Sequence, residues 1–283
     1  MQAKDLTIKA NHLSFAARVW NSEQTDSSKT ILALHGWLDN AASFVELAPT
    51  LDIADIVAFD LAGHGHSSHR SQDASYNVWE DLEDVIGVAE CLGWNSFSLI
   101  GHSRGGTIAV QLAAVMPELV DKLLLIDSLF IYHNSHPYVE QLRKYIEDRR
   151  RYSHRKKNIF SDIEKALQQR LSVGATTLKA NEARMLVERN LRSIETGFVW
   201  RYDDRLRGAS AIKLVESFVE SIMDALQAPT LMLAAKIAYE QKDMNIKGAC
   251  IAKKAADNLI QETGIQSHTI ASLITAISNN RHP

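Results

Sequence analysis

The chain has 283 residues, of which 46% are hydrophobic and 23% charged, and its formal net charge is −3. This balance gives no global attraction to nucleic acid or anionic membranes, and the length suits one large core with a small insertion. The N-terminus lacks the apolar stretch of a signal peptide, and no run reaches the roughly 20 apolar residues of a membrane span. We therefore expect a cytoplasmic protein whose two cysteines, Cys91 and Cys250, are reduced thiols.

Predicted strands and helices alternate along most of the chain. Two β-prone runs, residues 6–8 and 14–20, predict an opening antiparallel pair. Apolar runs typical of strands buried in a parallel sheet follow at residues 30–34, 54–59, 96–100, 122–126 and 230–234. Apolar residues at three- and four-residue spacing predict helices over 78–92 and 107–116. This alternation predicts an α/β fold with a mostly parallel sheet flanked by helices.

Residues 128–227 interrupt this pattern, because they are charged, helix-prone and poor in buried-strand runs. We interpret them as a helical insertion between two core segments, residues 1–127 and 228–283. The insertion contains a basic run from Arg149 to Lys157. Such a run is typical of a solvated helix face. Nucleic-acid binding, the alternative, would weaken steeply with salt, and we expect no nucleic-acid or membrane partner.

The strongest motif is Gly101-His102-Ser103-Arg104-Gly105, which has the pattern G-x-S-x-G. It lies after a predicted buried strand and before a predicted helix, where a nucleophile elbow belongs. Small residues are needed there because the sharp turn brings strand and helix together, and the turn lifts the serine Oγ above the sheet edge. The motif predicts Ser103 as a catalytic nucleophile.

Two further motifs follow predicted strands, so they are expected at the same sheet edge. His35-Gly36-Trp37 follows the predicted strand at residues 30–34. The main-chain N–H of Trp37, together with that of Arg104, would donate hydrogen bonds to a developing oxyanion. Residues 60–67 follow the predicted strand at residues 54–59 and form a glycine- and histidine-rich loop, to which we assign a structural role. His64 and His66 are poor candidates for a catalytic base, since the chain order of this elbow type is nucleophile, acid, histidine.

Together these motifs resemble the α/β-hydrolase superfamily, and they look most like the group named serine hydrolase-like proteins. The resemblance covers about residues 6–236. Its remaining motifs are residues 35–44, 60–67, 124–127, 197–206 and 228–231. It implies an α/β-hydrolase fold, a helical cap over the active site and a Ser–acid–His triad.

The C-terminal part departs from the family pattern. Members usually have an aspartate soon after the strand that here ends near Lys236, followed later by a glycine- and histidine-rich loop carrying the base. This chain has Glu240 and Asp243 near the first position, and only Gly264-Ile265-Gln266-Ser267-His268 at the second. The segment is either diverged or a truncated or frame-altered end.

The histidine and the acid of the triad therefore remain open. The histidines after Ser103 are His133, His136, His154, His268 and His282. We favour His268, which we expect in a loop leading into the last helix. For the acid, Asp127 ends the strand after the nucleophile helix, and Asp243 or Glu240 lies nearer the usual family position.

Two functions compete. One is a serine esterase that cleaves a small acyl ester through a Ser103 acyl-enzyme, with a cap that shapes an apolar acyl pocket. The other is a catalytically impaired or non-catalytic binding protein on the same scaffold, suggested by the altered C-terminal part. Halide or epoxide chemistry would need an aspartate where Ser103 stands. The sequence has no metal cluster or phosphate-cradling loop, so we expect no metal and no cofactor, and it does not specify an oligomeric state.

Overall fold

The computed structural model describes residues 2–21, 29–51, 54–128, 137–172, 178–233, 248–250 and 267–269. Within them, nine strands form one sheet in the order β1-β2-β4-β3-β5-β6-β9-β10-β11. Their bounds are β1 (Lys4–Ala10), β2 (Leu13–Trp20), β3 (Thr30–Leu34), β4 (Asp55–Phe59), β5 (Phe97–His102), β6 (Val120–Ile126), β9 (Thr230–Leu233), β10 (Gly248–Cys250) and β11 (Ser267–Thr269). A second sheet pairs β7 (Leu191–Ile194) with β8 (Gly197–Trp200).

The centre of the large sheet is parallel, as predicted. Strands β4, β3, β5, β6 and β9 run in one direction. The opening strands β1 and β2 pair antiparallel with each other, and β2 pairs antiparallel with β4. The predicted opening pair and the five predicted apolar strands are therefore confirmed.

Both faces of the sheet are covered. Helices α1 (Val78–Cys91) and α2 (Arg104–Val115) confirm the two predicted helices. Successive residues of a strand point to opposite faces. Accordingly, Leu32 and Leu34 of β3 join the larger apolar core with both helices, whereas Ala33 joins a smaller core with Phe44. A continuous apolar run on a strand is thus explained by burial on two faces.

The chain between β6 and β9 contains four helices in its described part: α3 (Tyr138–Ser153), α4 (Ile163–Ser172), α5 (Ala180–Asn190) and α6 (Glu216–Ala225). Helices α4 and α5 and the β7–β8 hairpin enclose their own apolar cluster, which includes Phe160, Leu167 and Val187. Helix α6 instead places Ile222 against the main core. We therefore propose that the insertion, predicted to span residues 128–227, ends before α6. The β7–β8 hairpin was not predicted from the sequence.

None of the helices in the described part of the chain is both long enough and apolar enough to cross a membrane.

Candidate active site

Ser103 lies in the turn between β5, which ends at His102, and α2, which begins at Arg104. Its backbone has φ 50° and ψ −114°, a conformation that costs a non-glycine residue roughly 1–3 kcal/mol. The Ser103 N–H donates to the carbonyl oxygen of Ile126 at 3.1 Å, which ties the turn to the end of β6. The residue is exposed. A strained, exposed serine between a strand and a helix has the geometry of a nucleophile elbow.

The glycines of the motif permit close contacts around this turn. A Cβ on Gly101 would lie 2.5 Å from the Gly106 Cα. A Cβ on Gly105 would overlap the carbonyl oxygen of Leu34, because the first turn of α2 packs directly on the end of β3. At both Gly101 and Gly105, a side chain is therefore excluded by a specific backbone contact.

The loop after β3 lies beside the elbow, because Leu34 of β3 pairs with Gly101 of β5. Within the described residues, no group accepts a hydrogen bond from the main-chain N–H of Trp37 or of Arg104. The Trp37 indole donates to the carbonyl oxygen of Leu206 at 2.8 Å, which fixes the loop against the insertion. Two free N–H groups, one on the loop after β3 and one at the start of α2, are what an oxyanion hole requires.

Gly36 and His102 form the floor between these two loops. A Cβ on Gly36 would lie 2.9 Å from Nδ1 of His102, so a larger residue would displace the imidazole. His102 therefore packs against the backbone of the loop that carries Trp37. Its contribution here is to packing between the two loops.

His35 and His64 are buried and hold the loops below the site. His35 Nδ1 donates to the Gly36 carbonyl oxygen at 2.8 Å, and its Nε2 accepts from the Leu61 N–H at 2.9 Å. Burial lowers the pKa of His35. Burial also lowers the pKa of His64 well below its ordinary value, and the nearby positive charge of Arg104 adds to that shift. Both rings are therefore neutral structural groups, in line with the role expected for the loop at 60–67.

Asp60 joins three segments at the end of β4. Its carboxylate is fully buried and accepts hydrogen bonds from the N–H groups of Ala41 at 2.7 Å and His66 at 2.8 Å. Arg189 of α5 donates to the same carboxylate with Nε at 3.0 Å and Nη2 at 3.0 Å. The insertion is thus bound to the core through a buried ion pair beside the candidate site.

A second buried network lies behind the elbow and was missed by sequence reasoning. The Arg104 side chain reaches helix α1, where its Nη2 lies 2.5 Å from Oδ2 of Asp81. Asp81 is 2% exposed and also lies 3.7 Å from Arg70. A sequence signal existed, because Asp81 and Asp84 fall on the apolar face of α1 with Val85 and Val88. Charged residues at such positions indicate buried ion pairs.

Asp84 is the acid of this network whose pKa is shifted most clearly. Burial raises its pKa to about 7, outweighing its close ion pair with Arg70, and the negative charge of Asp81 adds to the rise. Near neutral pH, protonated and ionised Asp84 therefore coexist. The network links α1 to the first residue of α2, immediately after Ser103.

Asp127 is the predicted acid that the structure brings near Ser103. It follows β6, whose last residue, Ile126, pairs with His102 of β5 and accepts the hydrogen bond from Ser103. Asp127 is exposed and has φ 48°. Among the described residues its carboxylate has no hydrogen-bond or ion-pair partner. The alternative acids, Glu240 and Asp243, lie outside the described residues.

His268 is not brought to Ser103. It lies within β11 rather than in the expected loop, paired with Ala249 of β10. In the sheet order β11 stands four strands from β5, which at about 4.8 Å per strand separates the backbones by about 19 Å. Of the other histidines considered, His154 is exposed at the end of α3, and His133, His136 and His282 lie outside the described residues.

A cavity of about 180 Å³ opens between the core and the insertion beside the elbow. Core residues Trp37, Tyr76 and Arg104 and insertion residues Tyr145, Arg205 and Leu206 line it. It is smaller than the roughly 300–1,000 Å³ of pockets for drug-sized ligands. The lining is largely polar, whereas the sequence predicted an apolar acyl pocket.

Comparison with known proteins agrees with this architecture. A family model described as the alpha/beta hydrolase fold matches residues 29–157. A serine hydrolase-like protein of Dictyostelium discoideum is 30% identical, over 81% of this chain and 65% of its own length. Serine hydrolase-like protein 2 of Homo sapiens is 35% identical, over 85% of this chain and 77% of its own length. A solved structure of a hypothetical protein from Pseudomonas aeruginosa is 33% identical with a TM-score of 0.77, over 95% of this chain and 90% of that one.

The matched family region contains both the Trp37 loop and the Ser103 elbow. The Dictyostelium protein is longer, and this chain spans slightly less than two thirds of it. The matches to the human and Pseudomonas proteins each cover more than three quarters of the matched protein's own length. The chain therefore belongs to the α/β-hydrolase superfamily, in its group of serine hydrolase-like proteins.

Proposed function

We propose that this chain is a serine hydrolase that cleaves a small acyl ester, with Ser103 as the nucleophile. The observation that carries this proposal is the strained, exposed Ser103 at the β5–α2 junction. The unpaired N–H groups of Trp37, on the loop after β3, and of Arg104, at the start of α2, support it. A backbone held in so costly a conformation is typical of functional sites.

In the proposed reaction, Ser103 Oγ attacks the ester carbonyl carbon while its proton passes to a histidine base. The oxyanion of the tetrahedral intermediate accepts hydrogen bonds from the N–H groups of Trp37 and Arg104. The alcohol leaves with the proton from the imidazolium, and water then hydrolyses the acyl-enzyme. His268, the base predicted from the sequence, lies in a strand about 19 Å from β5, out of reach of Ser103, so the histidine of this step is left unassigned. Asp127, with Asp243 or Glu240 as alternatives, stays our predicted acid.

The cavity supports a short substrate. Its volume of about 180 Å³ and its polar lining of Tyr76, Arg104, Tyr145 and Arg205 suit a small acyl group better than a long alkyl chain. We propose that the insertion acts as a cap, since Tyr145, Arg205 and Leu206 of the insertion line one side of this cavity, and that it limits the access of water to the reacting centre.

Hydrolysis of p-nitrophenyl esters tests the proposal. We expect turnover of the acetate, much slower turnover of the octanoate, and a loss of about 10³-fold or more in Ser103→Ala. Ser161→Ala is a matched control, because Ser161 is an exposed serine of the insertion whose hydroxyl, among the described residues, hydrogen-bonds Asp162 alone. Equal turnover by wild type and Ser103→Ala would overturn the proposal.

The second candidate is a non-catalytic binding protein. It is favoured by the distance of about 19 Å between the backbones of β11, which holds His268, and β5. On this hypothesis the cavity binds a small polar molecule that is not cleaved. A folded wild type that binds esters in the cavity without turning them over would support it.

A further inference from the structure

Three arginines of the cap converge on one aromatic ring. The guanidinium carbons of Arg151, Arg155 and Arg207 lie 5.8, 5.9 and 5.8 Å from the ring centroid of Tyr152. We call these three residues the arginine cluster. They come from two separate elements, the C-terminal end of α3 with the segment after it and the 3-10 helix Asp204–Arg207.

In the described part of the chain, no carboxylate forms an ion pair with a member of the arginine cluster. Two other arginines of the cap do form ion pairs, since Arg189 pairs with Asp60 and Arg205 pairs with Asp203. Three positive charges therefore surround one ring, and none of them has an ion-pair partner among the described residues.

A crevice beside the cluster has the same excess of positive charge. Its charged lining consists of Arg155, Lys157 and Arg207 against one carboxylate, Asp204. The Lys157 ammonium already donates to the carbonyl oxygens of Trp200 and Tyr202, each at 2.6 Å. The free donors of this crevice thus belong mainly to the arginines.

Structural roles account for only part of this arrangement. A cation in the last turn of a helix is stabilised by the helix dipole, which explains Arg151. Arg155 and Arg207 lie outside α3, and contact with the half-buried ring of Tyr152 contributes about 0.5–2 kcal/mol for each cation. Mutual repulsion of three guanidinium groups opposes that gain, and solvated arginines would be expected to spread apart.

We propose that the arginine cluster is a binding site for a phosphate group, carried by a small phosphorylated molecule or by a lipid headgroup. A phosphate monoester has nearly two negative charges and three terminal acceptor oxygens. The planar guanidinium fork matches such oxygens with paired hydrogen bonds. Arg207 adjoins Gly208 of the cavity lining, so bound phosphate would contact the segment that closes the candidate active site.

Calorimetric titration with inorganic pyrophosphate, at ionic strength matched with sodium chloride, tests the site. We expect wild type to bind, and Arg151→Gln/Arg155→Gln/Arg207→Gln to bind at least about tenfold more weakly, because several charge-assisted hydrogen bonds are lost. The matched control is Arg143→Gln/Lys144→Gln/Arg150→Gln, which removes three exposed positive charges from α3, the helix that carries Arg151. Circular dichroism checks that each variant is folded.

Sedimentation with phosphatidylcholine vesicles, with and without phosphatidic acid, distinguishes the two sources of phosphate. Cosedimentation that needs both phosphatidic acid and the cluster identifies a lipid headgroup, and pyrophosphate binding without it identifies a free phosphorylated molecule. No binding of either probe, or equal weakening in the cluster variant and its control, would overturn the proposal.

Discussion

At the scale of single residues, the candidate site depends on backbone conformation as much as on side chains. Ser103 is held at positive φ by a hydrogen bond to Ile126 and by the packing of α2 on β3. The motif glycines are needed because backbone atoms, rather than flexible side chains, occupy the space that a Cβ would fill. The sequence pattern G-x-S-x-G could be read directly because each of its positions has a local steric cause.

Ser103→Gly should be more stable than Ser103→Ala by about 1 kcal/mol. Glycine adopts φ 50° and ψ −114° without the strain of a Cβ, although part of this gain is offset by the greater entropy of the unfolded chain. Urea unfolding of the two variants, both without the nucleophile, measures the difference. Equal or reversed stabilities would show that the turn is not strained.

Gly105→Ala should lower the free energy of unfolding by about 1–3 kcal/mol, since the new methyl group would overlap the Leu34 carbonyl oxygen. Gly208→Ala is the matched control. Its φ is −71° and the nearest atom to an added Cβ, the Arg205 carbonyl oxygen, is 3.3 Å away, so the contact is tight but not an overlap and we expect a loss clearly smaller than that of Gly105→Ala. Urea unfolding compares the two, and similar losses would contradict the packing argument.

At the scale of elements, helix α1 supports the elbow through charge. Asp81 pairs with Arg104, and Arg70 bridges Asp81 and Asp84. These groups come from a loop and two helices, so only the packing of α1 beside α2 unites them. Sequence periodicity predicted both helices but not this pairing, because periodicity identifies the buried face and not the partners on it.

The raised pKa of Asp84 makes stability depend on pH. The folded protein holds a proton on Asp84 up to about pH 7, whereas the unfolded chain loses it near the ordinary value of 3.8. The folded state therefore binds more protons between pH 4 and 7, and the contribution of Asp84 to stability falls as the pH rises through that range. Asp84→Asn removes this titration.

We accordingly expect the stability of Asp84→Asn relative to wild type to rise by about 2–4 kcal/mol between about pH 5 and 8. Glu83→Gln, an exposed position on the same helix, should show no such trend. Urea unfolding across this pH range measures both variants. A pH-independent difference between Asp84→Asn and wild type would mean that Asp84 is ionised throughout.

At the scale of the whole molecule, the cap and the core are joined by buried polar contacts. The Asp60–Arg189 pair is the most buried of them, with the carboxylate fully enclosed and the guanidinium 13% exposed. Asn190 adds a hydrogen bond to the Leu38 carbonyl oxygen at 2.8 Å. These contacts fix the cap above the loops that carry Trp37 and Ser103.

Arg189→Gln should lower the free energy of unfolding by about 3–5 kcal/mol, because it leaves the buried charge of Asp60 without its cation. Arg192→Gln removes an exposed arginine nearby and should change stability by less than about 0.5 kcal/mol. Denaturant unfolding followed by circular dichroism compares them. A loss in Arg189→Gln no greater than in the control would show that the pair does not hold the cap.

The sheet centre was predictable from the sequence because strands buried on two faces are continuous apolar runs. The same reasoning failed in the cap, where β7 carries the exposed residues Arg192 and Ser193 and follows directly on helix α5. His268 was expected in a loop, but it pairs with Ala249 in a strand at the sheet edge. That segment departs from the family pattern, so neither motif nor periodicity constrained it.

Labelling with a fluorophosphonate probe, read by intact mass, tests most directly whether Ser103 is an activated nucleophile. We predict one adduct per chain in wild type and in Ser161→Ala, and none in Ser103→Ala, because only a serine with a working base and oxyanion hole reacts readily. Absence of labelling in folded wild type, or labelling retained in Ser103→Ala, would contradict the account.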